Sequence, residues 1–227
     1  MSKKLKISPP PLAEVLITLG IIGIVATLTI PSLIQKHQER TQIIKLKKVY
    51  SILNTAFNTA IAENGNINTW STVAEGTWNL DEQTIAINNV LKNYFNYTRY
   101  CDYGNKNKCL SPAYKMTNGE ARNYNIFNGT APKYFLADGT IIAIQASAGD
   151  YRSLWCQYPV SNLSSSHSRY MYKCGKIYVD TNGFKGPNRD GFDIFAFVFY
   201  QNTITPLGLK NDHSIENFKV CTGTSNY

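Results

Sequence analysis

The 227-residue chain is poor in charge: Asp, Glu, Lys and Arg together make up 17%. With 43% hydrophobic residues, that excludes a chain that is disordered or coiled-coil throughout. Catalytic patterns are missing too. His37, His167 and His213 are scattered, and the chain has no H-E-x-x-H, G-x-S-x-G or P-loop sequence. No catalytic residue is assigned, and the chain reads as a non-enzyme. None of the five cysteines stands in C-x-x-C, so the zinc-knuckle and thioredoxin readings lose their spacing. There is no internal repeat. Only one apolar stretch approaches the ~20 residues of a membrane span, which excludes a polytopic membrane protein.

What charge there is sits unevenly. The formal net charge is +8, a value that invites a nucleic-acid reading. Residues 1–34 contribute +2, from Lys3, Lys4 and Lys6 against Glu14. Residues 35–48 contribute +4, from Lys36, Arg40, Lys45, Lys47 and Lys48 against Glu39. Residues 49–227 hold 15 bases and 13 acids and are nearly neutral. The basicity therefore flanks the apolar stretch, as membrane-interface anchors do. The rest of the chain lacks the concentrated footprint that nucleic acid requires, so no nucleic acid is expected as a partner of the head.

The apolar stretch is Leu12–Ile34, LAEVLITLGIIGIVATLTIPSLI. As a helix its 23 residues rise about 34 Å, enough for one span. It is longer than the core of a cleaved secretory signal and ends without an A-x-A exit. Helical spacing continues past it: Leu46, Val49, Tyr50, Leu53, Ala56, Phe57, Ala60 and Ile61 form one apolar stripe. Asn64-Gly65 supplies a C-cap. The pattern predicts one helix over Leu12–Glu63, apolar all round in its first half and amphipathic over residues 35–65. Pro31 removes a backbone donor and is expected to kink it. Glu14 lies two residues inside the apolar run, where a charge is costly. One reading is a carboxylate at the membrane edge or a helix N-terminus. The other is a charge that seeks a partner in assembly.

The run Leu12-Ala13-Glu14-Val15-Leu16-Ile17-Thr18-Leu19, with Gly23 and Pro31 further along, resembles the start of the type IV pilins and of the pseudopilins of type II secretion. The resemblance covers residues 1–63 by motif and the remainder by architecture. It implies a basic leader (residues 1–11), a hydrophobic helix that serves as membrane span and filament core, and Glu14 as the assembly residue. It implies a structural subunit of a pilus-like or pseudopilus filament. The partners it implies are copies of itself, other pilins, the inner membrane and the prepilin peptidase. The family's peptidase cuts after glycine, usually before phenylalanine. Aligned on Glu14, those positions are Pro9 and Pro10, within a stiff, extended Ser8-Pro9-Pro10-Pro11 segment, so slow or absent cleavage is expected. Three lysines precede the span and five bases follow it, a count that leans towards the domain inside. The resemblance and the cysteines lean outside. The expectation is a single pass through the bacterial cytoplasmic membrane with the C-terminal domain external.

Residues 66–227 read as a soluble α+β head. Residues 66–80 look like loop. Asp81–Tyr100 has helical spacing, with Ile87, Val90, Leu91, Tyr94 and Phe95 on one face. Tyr134–Ala137, Asp138-Gly139 and Thr140–Ile144 spell a hairpin with a two-residue turn. Met171–Val179 and Phe192–Tyr200 are further strands, and Thr203–Leu209 a short edge strand. Four or so antiparallel strands against the amphipathic half of the long helix give a pilin-like α+β arrangement. Cys101 and Cys109 bracket a polar loop, and Cys156 and Cys174 bracket a Ser-rich one. Cys101–Cys109 and Cys156–Cys174 are the expected disulfides of an exported domain, with Cys221 left over. Reduced thiols, or pairings that use Cys221, are the alternatives. Asp180–Asp193 is rich in oxygen ligands and loosely resembles the calcium loop of major pseudopilins. The residues Asp180, Asn182, Asn188, Asp190 and Asp193 would hold Ca²⁺. The same stretch also reads as a β–β connection, since Asn-Gly, Gly-Pro and Asp-Gly are turn dipeptides. Two other functions stay open: a minor pilin whose head binds DNA, a surface or a secreted substrate, and a membrane-tethered protein that never polymerises.

Overall fold

The computed structural model describes residues 12–70, 80–104, 109, 114–115, 119–120, 131–146, 156 and 174–207. The chain divides into two compact units, Met1–Ile43 and Ile44–Tyr227. Helix α1, Leu12–Asn64, is 53 residues long and runs through Pro31 without interruption. Its end follows the expected capping: Gly65 takes φ +78 and its N–H reaches the Ile61 carbonyl at 2.9 Å.

In the first unit, the side chains from Leu12 to Ile34 are exposed apart from a half-buried Ala26. The stretch is long and apolar enough to cross a membrane. Its hydroxyls are satisfied within the helix. Thr18, Thr27, Thr29 and Ser32 each donate to a carbonyl three or four residues back, at 2.8–2.9 Å. A helix without water around it needs that internal satisfaction.

The second unit is a six-stranded antiparallel sheet in sequential order. The strands are β1 (Arg99–Cys101), β2 (Lys133–Phe135), β3 (Ile141–Ala146), β4 (Gly175–Asp180), β5 (Ile194–Phe199) and β6 (Ile204–Pro206). A 3₁₀ turn, Ile67–Thr69, and helix α2, Leu80–Leu91, complete it. Alternation along the strands gives the sheet two buried faces. Ile142, Ile144, Ile177, Val179, Phe197 and Phe199 join the stripe Val49, Leu53, Ala56, Phe57 and Ala60 of α1. Ile141, Ala143, Tyr178, Ile194, Ala196 and Val198 form a second core with Tyr114 and Ala131 on the opposite face. Tyr50 stacks on Phe197 with centroids 5.8 Å apart, and Phe57 meets Phe199 at 5.2 Å. Helix α2 is pinned to β2 and β3 by polar contacts. Asn88 donates to the Ile144 carbonyl at 3.1 Å and accepts the Tyr134 hydroxyl at 2.8 Å.

The helix expected over Asp81–Tyr100 stops at Leu91. Asn93 and Asn96 are weak helix formers. The chain turns at Tyr94, and its aromatics pack as a cluster instead: Phe95 lies 4.8 Å from Tyr134, and Tyr100 5.1 Å from Tyr134. Arg99–Cys101 is thereby released to become edge strand β1, and the sheet has six strands where four or so were expected. The hairpin also differs. Leu136 N–H bonds the Thr140 carbonyl at 2.9 Å, which leaves three residues, Ala137-Asp138-Gly139, in the loop. Gly139 takes φ +87 at the position where a three-residue loop requires a left-handed residue. Strands expected over Met171–Val179, Phe192–Tyr200 and Thr203–Leu209 are observed as β4, β5 and β6. Residues 171–173 and 208–209 lie outside the described residues.

Candidate functional site

Two places carry chemistry. The first is the start of α1, where Glu14 occupies the first helical turn and is exposed, ringed by exposed Leu12, Val15, Leu16 and Ile17. It makes no ion pair or hydrogen bond among the described residues. A carboxylate on an apolar helix either finds a partner beyond these residues or remains at an interface. Pro9 and Pro10 lie outside the described residues. Of the bases behind the apolar stretch, two are used on the head. Lys45 Nζ donates to the Thr181 carbonyl at 3.1 Å, and Lys48 pairs with Asp138 at 2.7 Å.

The second place is the β4–β5 connection, Asp180–Asp193. Its polar groups turn inward. Asp180 Oδ1 accepts the N–H groups of Asn182 and Gly183 at 3.1 and 2.8 Å, and Tyr114 donates its hydroxyl to Asp180 Oδ2 at 3.1 Å. Asp193 Oδ2 accepts Asn188 N–H at 2.8 Å and Asn182 Nδ2 at 3.1 Å, and Oδ1 accepts Arg189 N–H at 2.6 Å. The Asn188 amide, oriented so that its nitrogen donates, reaches the Gly183 and Lys185 carbonyls at 3.1 and 3.3 Å. Lys115 is stitched alongside by Lys115 N–H to the Asn188 carbonyl and Asp190 N–H to the Lys115 carbonyl.

The structure thus gathers Asp180, Asn182, Asn188, Asp190 and Asp193 in one loop. The Asp180 and Asp193 oxygens accept from loop N–H groups, the Asn182 amide and the Tyr114 hydroxyl, and the Asn188 amide donates to loop carbonyls. Among the described residues, no group of three or more His, Cys, Asp or Glu side chains is arranged to hold a metal. Calcium takes six to eight oxygens; here the Asp180 and Asp193 oxygens already accept hydrogen bonds, while Asn182 Oδ1 is buried without one. Burial pushes the Asp180 carboxyl up to about 7, and the Asp193 charge adds to that. The Asn182 and Gly183 N–H groups and the Tyr114 hydroxyl pull the other way.

The disulfides Cys101–Cys109 and Cys156–Cys174 are both formed, with Cα atoms 6.3 and 4.3 Å apart. Cys221, His167 and His213 lie outside the described residues. One unusual residue gave no signal in the sequence. Lys133 lies opposite Cys101 and is 3% exposed, with Nζ donating to the Ala131 carbonyl at 3.0 Å. Burial lowers it to about 8. A lysine held partly neutral suits amine chemistry, but burial this complete closes it to a substrate. Its position on a three-residue strand was too short for periodicity to reveal.

A family model described as a family of unknown function matches residues 32–226, which take in the amphipathic part of α1 and the head. No curated protein and no solved structure matches the chain. On the extent of that match, the chain belongs to the DUF6613 family.

Proposed function

We propose that the chain is a structural subunit of a type IV pilus-like or type II secretion pseudopilus filament, anchored in the cytoplasmic membrane by the first half of α1. One observation carries the reading: a continuous helix whose 23-residue apolar stretch is exposed, with one acid in its first turn. An exposed apolar surface of that extent needs lipid or other copies of the helix to cover it. The lone carboxylate supplies a reason for copies, because an acid surrounded by hydrocarbon is relieved by a basic partner. The resemblance of residues 12–19, Gly23 and Pro31 to prepilin-type sequences agrees with it, as does a disulfide-bonded α+β head behind the helix.

The test is Glu14→Leu in the native host. Membrane insertion is expected to persist, since the span becomes more apolar, while incorporation into filaments falls. Normal incorporation of the variant would sink the reading. Pro9-Pro10 favours a second reading, a tethered protein that keeps its leader and never polymerises. Intact-mass measurement separates the two: a dominant species beginning at Pro10 supports the filament subunit, and one that retains Met1–Pro9 supports the tether.

A further inference from the structure

The β4–β5 loop has inverted polarity. Asp180, Asp190, Asp193 and Asn188 are buried, while Phe184 and Phe192 are 47% and 41% exposed. Among the described residues after Tyr50, these two are the exposed large hydrophobic side chains. Around them stand Lys185, Pro187 and Lys115, all exposed, and Arg189, whose guanidinium lies 4.5 Å over the Phe192 ring. The outward surface is therefore aromatic and cationic, with every acid of the loop withdrawn from it. The inward hydrogen bonds of Asp193 and Asn188 fix the backbone that presents it. Leaving two phenylalanines half in water forgoes stabilisation that a folded chain ordinarily takes.

Phenylalanine beside lysine and arginine is the composition of a surface that rests on an anionic bilayer: rings enter the headgroup boundary and cations meet lipid phosphates. The chain's own connectivity supplies the bilayer. The loop begins at Thr181, which Lys45 holds through its carbonyl, and Lys45 follows Ile34 by eleven residues. Eleven residues span at most about 40 Å even fully extended. The head that carries the loop is thus tethered to the apolar stretch by a short connection, however the intervening chain is disposed.

We infer that the β4–β5 loop is a bilayer-docking face, with Phe184 and Phe192 entering the headgroup region of an anionic membrane and Lys185, Lys115 and Arg189 contacting its phosphates. This rests on the membrane-anchoring part of the function proposed above. It gives the head a membrane-bound state, distinct from any state in which that loop has been lifted away.

The experiment uses the full chain in nanodiscs of phosphatidylglycerol and phosphatidylcholine, with p-benzoylphenylalanine placed at position 28, 184 or 192 in separate preparations. Irradiation followed by intact-mass measurement distinguishes a lipid adduct from a protein adduct. Lipid adducts are expected at all three positions. Those at 184 and 192 should fall about fivefold for each base removed, tested with Lys185→Gln, and more in pure phosphatidylcholine. A lipid adduct at 28 with none at 184 and 192 overturns the docking face alone. No lipid adduct at 28 removes the anchor, and the docking face with it. Crosslinks from 184 and 192 to a second protein chain, in place of lipid, also overturn it. Far-ultraviolet circular dichroism on each variant checks that the head remains folded.

Discussion

Asp180 is the residue at which burial and charge conflict most openly. Its carboxyl is held up to about 7 by burial, against about 4 in an unfolded chain. Between those values the folded head binds a proton that the unfolded chain has released. By linkage, stability falls as pH rises through the window, at most by about 1.4 kcal/mol per pH unit. The full chain in detergent is therefore expected to melt at a lower temperature at pH 8 than at pH 5.5. Asp180→Asn should flatten that slope and raise the melting temperature at pH 8. The amide oxygen still accepts the Asn182 and Gly183 N–H groups, and its nitrogen can donate to the Tyr114 hydroxyl. A pH dependence that survives unchanged in Asp180→Asn would place the titrating group elsewhere. The same inward-turned oxygens bear on calcium. With Asp180 and Asp193 committed to backbone N–H groups, added calcium or chelator is expected to leave the melting temperature unmoved. A drop on chelation would mean that the loop rearranges to ligate the ion, because a ligand held only by the folded state stabilises it.

Among the elements, the amphipathic part of α1 places five buried residues in the main core, more than any strand or α2 places there. Phe57 is buried against Phe199 and belongs to the main core. Phe57→Ala removes a full ring from a site walled by helix and sheet, and is expected to cost about 3–5 kcal/mol. Exposed Ser51→Ala on the same helix should cost almost nothing. Equal losses for both, by denaturant titration, would mean that the stripe is not the buried face. That stripe was readable from its spacing, as were α2, β3, β4 and β5, because each presents enough apolar residues for a period to show. Strand β1 was not readable. Its three residues carry no period, and Tyr94 and Phe95 continued a helical pattern that aromatic packing on Tyr134 overrode. The three-residue hairpin loop hid behind Asp138-Gly139, which serves two- and three-residue turns alike. The disulfide pairs were legible because local brackets leave few short closures. The inversion of the β4–β5 loop was not, because sequence shows which residues a loop has but not which way they face. Glu14 lay open in the sequence as a charge amid hydrocarbon, and the structure adds only that it stands in the first turn.

On the scale of the whole molecule, the division falls at Ile43, between a unit with no buried side chain among its described residues and a head with two cores. The first fully buried residue of α1 is Val49, and every buried member of the main core lies at or after it. Among the described residues, none before Ile44 belongs to either core. The head should therefore fold without residues 1–43. Both disulfides lie within it, and the larger closes a separation of 18 residues, worth roughly 3 kcal/mol through the entropy it removes from the unfolded chain. A chain starting at Ile44 and exported to an oxidising compartment is expected to be soluble without detergent, free of thiols at Cys101, Cys109, Cys156 and Cys174, and cooperative in thermal unfolding. The full chain should instead partition into membranes and stay there after carbonate extraction. The contrast isolates what the apolar stretch does, because the two proteins share the head and differ in the exposed helix. If the truncated chain aggregates or melts without a transition, the first unit supports the head after all, and the boundary at Ile43 does not separate an anchor from a self-sufficient domain.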